Sequence, residues 1–375
     1  MDTLTIIICC SLAVLALAAT LSDTLWFSLK STAPQDTDGE KRISVILTVH
    51  DQAEALKRNL PAILSQDYTP GYEVIVVDES STDDTEDVLS LLAHKYPNLY
   101  TTFIPESSHY LSRRKLALTL GAKAAKNEWL LFTDADCRPA SPSWLATMAM
   151  RFGYSIDIVA GYTLYSASTP HFWQLERLVK QRRAMRQAQK GTLYCHNGHN
   201  LAVRKSVFFT HNGFLQNLKY LRGEYDFMAN EYATQNNTAV VVEPEATIIE
   251  DTPSRNMWTN DQMFQMDTRR HLKRGLAFSA PLTLASATLH INIIAQICAI
   301  AIAVAYEWWW VAATSALCAI VTYTLRLLSA HKVIKETGED MAVWSVPFME
   351  IGMAWWRALL RIKCITANKY DFIRK

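Results

Sequence analysis

Two textures alternate along the chain: long unbroken apolar runs at its ends, and short apolar runs punctuated by helical spacing between them. Leu4 to Leu21 carries no charge and is long enough to cross a bilayer. Ala16-Leu17-Ala18 could serve as a signal-peptide cleavage site, but no basic region precedes the run, so an uncleaved anchor is expected. Ser31 to Gly39 reads as a short polar linker. From there Ile43–Val49, Tyr72–Val77, Leu99–Ile104, Trp129–Thr133 and Ile156–Leu164 read as strands, and Ala53–Leu64, a helix running to Ala93 and Arg113–Ala125 as helices. Asp83-x-x-Glu86 fits a capping box for the middle helix. The rhythm predicts right-handed βαβ units and an α/β fold with a mostly parallel sheet flanked by helices.

Beyond the fifth strand the pattern loosens. His171–Lys190 reads as a helix dense in basic residues, either a solvated face or a contact for a membrane surface or anionic acceptor. Short strands follow near Leu201–Val203 and Thr238–Val242, with an acidic helix start at Gly223–Ala233 and an amphipathic stretch over Met257–Arg274. Ala277–Tyr306 and Trp308–Leu325 then form an apolar hairpin broken at Glu307, with Trp308-Trp309-Trp310 at one interface. Met341–Leu360 contains Glu350 and is expected to lie on the membrane rather than span it. The expected organisation is an anchor over 1–27, a linker over 28–42, a catalytic domain over 43–276, a transmembrane hairpin over 277–326 and a C-terminal segment over 327–375.

Charge sets the orientation. Lys30, Lys41 and Arg42 follow the first run, and basic clusters flank both ends of the hairpin, Lys369, Arg374 and Lys375 closing the tail. The positive-inside bias therefore puts the middle domain and the C-terminus in the cytoplasm, on a multi-pass inner-membrane protein. A net charge of +1 over 375 residues gives no global basic field for nucleic acid. The seven cysteines show neither a disulfide framework nor zinc spacing.

The candidate chemistry centres on Asp134-Ala135-Asp136, which ends the fourth strand. In extended chain residues i and i+2 point the same way, so the two carboxylates could converge on a divalent cation, with substrate phosphates completing its shell. Solvated turn aspartates are the plain alternative. Ligands of open α/β sheets sit at the carboxyl ends of strands, where Thr48, Asp51 and Asp78 also fall.

Three stretches carry a resemblance: Ser44-Val45-Ile46-Leu47-Thr48-Val49-His50-Asp51, Val76-Val77-Asp78-Glu79-Ser80-Ser81-Thr82-Asp83-Asp84-Thr85, and Asp134-Ala135-Asp136. In this order, over roughly Ile43 to Thr234, the chain resembles the family 2 glycosyltransferases, inverting enzymes with an A-type nucleotide-sugar fold. The resemblance implies that Thr48, Asp51 and Asp78 hold the nucleoside, that Lys115 meets the diphosphate, that Asp134 serves the ribose or diphosphate side, and that Asp136 binds Mg2+ or Mn2+. It implies a nucleotide-sugar donor, a UDP-sugar by preference, and a lipid-linked or envelope glycan acceptor among membrane lipids. The family's base lies in a Glu-Asp pair; here Gly223-Glu224-Tyr225-Asp226 puts Tyr225 at the Asp position. The base is then Asp226 or Glu224, with Asp226 preferred because Phe227-Met228 should anchor its turn. His196 and His199 have no third metal ligand near in sequence and are read as pocket walls within an acceptor-side segment. Gln265 to Arg270 does not match the processive Gln-x-x-Arg-Trp motif, which argues against a polymerase. A sugar nucleotidyltransferase would need a Gly-rich loop where Val49-His50-Asp51-Gln52 stands, and a non-enzymatic scaffold would find its support in Tyr225.

Overall fold

The computed structural model describes residues 3–22, 25, 27–35, 41–105 and 112–367. Residues 36–39 of the expected linker and the basic tail at Lys369, Arg374 and Lys375 lie outside the described residues. The chain forms two compact units: one of Leu29–Thr169, Lys180–Lys273 and Thr366–Lys375, the other of Met1–Ser28, Pro170–Val179 and Arg274–Ile365.

In chain order, α1 (Thr3–Leu21) precedes β1 (Ile43–Val49), α2 (Ala53–Leu64), β2 (Tyr72–Asp78), α3 (Thr85–Lys95), β3 (Leu99–Phe103), α4 (Arg113–Ala124) and β4 (Trp129–Phe132). Then come β5 (Cys137–Pro139), α5 (Trp144–Ala149), β6 (Ile158–Gly161), β7 (Thr163–Tyr165), α6 (His171–Gln189), β8 (Leu201–Arg204) and α7 (Lys205–Thr210). The rest is α8 (Glu224–Tyr232), β9 (Thr238–Val241), β10 (Ile248–Glu250), α9 (Arg255–Arg269), α10 (Gly275–Ala305), α11 (Trp309–Thr337) and α12 (Val346–Thr366).

The first unit is built on a seven-stranded sheet of order β3-β2-β1-β4-β8-β6-β9. Every residue of β1 and β4 is buried, which is why both read as unbroken apolar runs. Each fully buried Val, Leu or Ile side chain there stabilises the fold by about 1.5–3 kcal/mol. The sheet is parallel except at β8, which runs antiparallel to both β4 and β6. Parallel register aligns Val49 with Asp78, so the ends of β1 and β2 open side by side.

Three expectations are corrected. Ile156–Leu164 is not one strand: the Tyr162 carbonyl accepts from the Ile248 backbone and from Asn200 Nδ2, and the chain crosses there from the large sheet to a second one, β5-β10-β7. The capping box does not form. Asp83 accepts instead from the Thr85 backbone (3.1 Å) and from the Ala53 backbone (3.0 Å), tying α3 to α2. The first part of the linker is docked, with the Thr32 N–H on the Val240 carbonyl (2.8 Å) and the Gln35 N–H on the Met150 carbonyl (2.8 Å). Among the basic residues of the α6 segment, Arg182 is buried while Lys190 stays exposed.

In the second unit α1, α10 and α11 are each long and apolar enough to cross a membrane. Leu12, Ala303 and Val311 pack together, and polar side chains join the same bundle. Gln296 Nε2 donates to the Leu12 carbonyl (3.4 Å) and to Asn292 Oδ1 (3.2 Å), and Ser315 Oγ donates to Gln296 Oε1 (2.6 Å). Arg326, 4% exposed, meets Glu350 Oε2 (2.5 Å) through Nη1 and the Ala19 carbonyl (2.9 Å) through Nη2. The hairpin turn places Glu307 at φ 57°. α12 carries Glu350, Arg357, Arg361 and Lys363 but exposes Phe348, Trp355, Leu359, Ile362 and Ile365.

Candidate active site

The loops after β1 and β2 are laced together. Asp78 Oδ1 accepts the Ser81 N–H (3.0 Å) and Ser81 Oγ–H (2.6 Å), the local turn expected of an aspartate at a strand end. Asp51, at φ 52°, accepts the Thr82 N–H through Oδ1 (2.7 Å), and its own N–H donates to Ser81 Oγ (3.0 Å). The Thr82 backbone bond holds the Asp51 carboxyl below its ordinary range. Thr48 is buried beneath these loops and hydrogen-bonds Glu79, whose carboxyl is pushed up by burial and drawn back by Arg114. Thr48, Asp51 and Asp78 are thus linked through the adjoining loops after β1 and β2.

Beyond Phe132 the strand stops, and Asp134 to Cys137 form a turn closed by the Cys137 N–H on the Asp134 carbonyl (3.1 Å). The two aspartates thus come together through a turn rather than through strand alternation. Asp134 Oδ1 pairs with Arg114 Nη2, and Asp134 Oδ2 lies 3.2 Å from His199 Nδ1. His199 Nδ1 also lies 3.1 Å from Cys137 Sγ, and its Nε2 lies 3.5 Å from Glu250 Oε2. Burial, then the neighbouring Glu250 and Asp134, push the Asp136 carboxyl up to about 7. One ligand atom from each of Asp136, Cys137 and His199 lies within 4.8 Å of the others, a group able to hold a metal ion. The residues fit such an ion: the donors converge, and a cation would remove the penalty of crowding three buried acids.

His196, which the sequence paired with His199, has a different task. It stays neutral, its Nδ1 accepting the Gly198 N–H (3.0 Å) and its Nε2 meeting the Gly161 carbonyl (3.3 Å). Burial lowers its pKa to about 4.

α8 begins after Gly223 and presents three consecutive residues differently. Glu224 is buried, Arg114 and Glu79 feel its charge, and its Oε1 has no hydrogen-bond partner among the described residues. Tyr225 packs its ring 5.7 Å from Phe132 and 5.8 Å from the Arg114 guanidinium. Gly198, at φ +90°, makes room for it: a Cβ there would stand 1.9 Å from the ring. Asp226 accepts the His196 N–H and lies near Arg269 and Lys180, with burial raising its carboxyl. Lys115 is fully buried and donates to the carbonyls of Asn217 (2.8 Å) and Tyr220 (2.6 Å); burial brings its pKa down to about 8. Arg114, one residue earlier, is the cation that reaches Asp134.

Residues 44–209, carrying β1 through most of α7, match the family model described as Glycosyl transferase family 2. Over these residues the chain is similar to that family. Glycosyltransferase AglE of Haloferax volcanii is 31% identical over 121 residues, spanning 32% of this chain and 38% of that relative's length. Among solved structures, the mannosyltransferase PcManGT from Pyrobaculum calidifontis, in complex with GDP-Man and Mn2+, is similar in fold. Its TM-score is 0.52 at 18% identity, with 84% of this chain and 97% of that chain covered.

The structure groups Asp134 and Asp136 with His199, Cys137 and Glu250, none of which reads as a ligand in the sequence. No third ligand stands near His199 in sequence; Cys137 and Glu250 reach it from other parts of the chain. Asp261 on α9 was not singled out at all, yet Arg222, Glu250, His199 and Arg114 all act on its buried, raised carboxyl. Its one signal was an acid inside an amphipathic helix, which is too common to read.

Proposed function

We propose that the protein is an inverting, metal-dependent glycosyltransferase that moves one sugar from a nucleotide-sugar donor to a lipid-linked or envelope glycan acceptor. The cluster of Asp134, Asp136, His199 and Glu250 at the β4 end carries this reading, since it offers convergent donors beside the Arg114 cation. The complex of PcManGT with GDP-Man and Mn2+ supports both the donor class and the ion. Asp136 and His199 would hold the cation, which when bound neutralises the leaving nucleoside diphosphate. Thr48, Asp51 and Asp78 remain the nucleoside residues. Arg114 is the better diphosphate partner, because two carbonyls already engage the Lys115 ammonium.

Inversion needs a base for the acceptor hydroxyl. Glu224 is favoured over Asp226: it shares its surroundings with Arg114 and keeps an uncommitted oxygen, whereas Asp226 sits with His196, Arg269 and Lys180. A Glu224 carboxylate oxygen would take the proton of the acceptor hydroxyl as the acceptor oxygen attacks the anomeric carbon, with the nucleoside diphosphate leaving from the opposite face. α1, α10 and α11 anchor the protein in the inner membrane, and the basic flanks of each apolar run favour a cytoplasmic catalytic domain.

The test is a donor screen on purified protein, reading nucleoside diphosphate release and the anomeric configuration of the product, with and without chelator. Release that needs both acceptor and cation supports the proposal; full release in excess chelator removes the metal. Tyr225, standing where the family has its Asp, favours a second reading as a nucleotide-binding scaffold. Calorimetric nucleotide binding without release from any donor would select it.

A further inference from the structure

We propose that the Tyr225 hydroxyl donates a hydrogen bond to the diphosphate of the nucleotide-sugar donor, so that a phenol binds the departing anion at the position where the family keeps an acid. The inference deepens the reading of the preceding subsection and rests on its placing the diphosphate beside Arg114.

The ring is held from three sides. It packs 5.7 Å from Phe132 and 5.8 Å from the Arg114 guanidinium. On the third side it fills the space beside Gly198, where a Cβ would stand 1.9 Å from Cδ2. Tyr225 is only 4% exposed, and its hydroxyl oxygen is buried with it. A ring fixed this way delivers its hydroxyl to one place, with only the O–H bond left to turn.

The hydroxyl proton has no acceptor within the protein. Asp134, Arg114 and Glu224 are the charged groups that act on the phenol. A guanidinium carries five N–H donors and no acceptor, so Arg114 can approach the phenol oxygen but cannot receive its proton. Asp134 Oδ1 is paired with Arg114 Nη2, and Asp134 Oδ2 lies 3.2 Å from His199 Nδ1. Glu224 precedes Tyr225 on α8, and successive helix residues diverge by about 100°. Among the described residues none meets the Tyr225 hydroxyl with hydrogen-bond geometry. Buried polar groups are nearly always hydrogen-bonded, so an acceptor arriving beside Arg114 would complete this one.

A phosphate oxygen has the chemistry for that place. Being anionic, it can meet the guanidinium and the phenol O–H together, and hydrogen bonds to charged acceptors are about twice as strong as neutral ones. Burial pushes the phenol above its ordinary value of 10, so at neutral pH Tyr225 is a donor and not a base. As the bond between the anomeric carbon and the diphosphate oxygen breaks, that oxygen keeps the electron pair. Its added charge strengthens the contact with the phenol, whose proton stays on tyrosine.

Calorimetry on the full-length protein in detergent, in Mn2+ buffer, tests this with UDP and GDP as probes. Tyr225→Phe keeps the ring beside Gly198 and removes only the hydroxyl. Whichever nucleoside diphosphate binds the wild type should bind Tyr225→Phe about 10–100-fold more weakly, with affinity for the matching nucleoside unchanged. The thermal midpoint of ligand-free Tyr225→Phe should hold or rise, because no bond within the protein is lost; a structural hydroxyl would lower it. Replacing Tyr225 by 3,5-difluorotyrosine, a stronger hydrogen-bond donor, should tighten binding of the diphosphate. Equal diphosphate affinity in wild type and Tyr225→Phe would overturn the proposal, as would an equal loss for nucleoside and diphosphate or a lowered midpoint. These outcomes leave donor binding by the wild type intact, whereas a wild type that binds neither UDP nor GDP defeats the donor-binding reading and the proposal with it.

Discussion

Both units bury charge, and they treat it in opposite ways. In the unit holding α1, α10 and α11, Arg326 meets Glu350 and the Ala19 carbonyl, and Gln296 is shared among Leu12, Asn292 and Ser315. The Arg326 charge there is matched by fixed protein groups. At the end of β4, three acids, Asp134, Asp136 and Glu250, crowd around His199 with Arg114 as their cation. A matched network fixes a packing arrangement. A surplus of one sign leaves a place for something to bind, which is why perturbed acids concentrate at functional sites.

Removing acids should separate the two cases. Asp136→Asn is expected to lower sugar transfer by about 10³-fold while the thermal midpoint barely moves, because the change deletes a ligand and also relieves repulsion. Steady-state rates and a melting curve on one preparation check this, and a wild-type rate would contradict the site. Glu350→Ala should do the reverse. Leaving Arg326 buried without its carboxylate costs about 3 kcal/mol of stability, read by unfolding in detergent. A matched Arg326→Met with Glu350→Leu pair should restore most of it; failure of that rescue would mean the pair acts on something other than packing.

The comparison sharpens within α8. Glu224→Gln should reduce transfer by about 10²-fold with donor affinity kept, whereas Asp226→Asn should change stability more than turnover. The opposite ranking would return the base to Asp226. The smallest effect concerns His196. Its folded pKa, near 4, lies below the unfolded value of 6.5, so the unfolded chain binds more protons between these limits. Stability is then full above pH 6.5 and declines as pH falls toward 4, by about 2 kcal/mol at pH 5. A denaturant series at pH 7 and pH 5 should show this slope in the wild type and a flatter one in His196→Gln.

The helices and strands of the first half were legible because each rests on local information. Ile43–Val49 and Ala53–Leu64 have the bounds their apolar patterns predict, since a doubly buried strand and an amphipathic helix each leave a periodic trace. Ile156–Leu164 misled because the sheet change at Tyr162 is made by Asn200 and Ile248, partners far along the chain. The same limit governs the site. Asp134 and Asp136 stood out as a doublet, while His199 and Glu250 complete it only through β8 and β10 pairing into their sheets. Lys115 and Arg114 mark the finest limit: adjacent basic residues at a helix start are interchangeable in sequence, and which one turns inward depends on the carbonyls of Asn217 and Tyr220.

The bundle of α1 with α10 and α11 has a consequence in time. α1 leaves the ribosome first, and its partners follow roughly 250 residues later, about 12–50 s at ordinary synthesis rates of 5–20 residues per second. Through that interval α1 stands without these partners, which its uncharged sequence from Thr3 to Leu21 tolerates. Gln296, which donates to the Leu12 carbonyl, arrives with α10. It is thus made after the chain segment that supplies its acceptor.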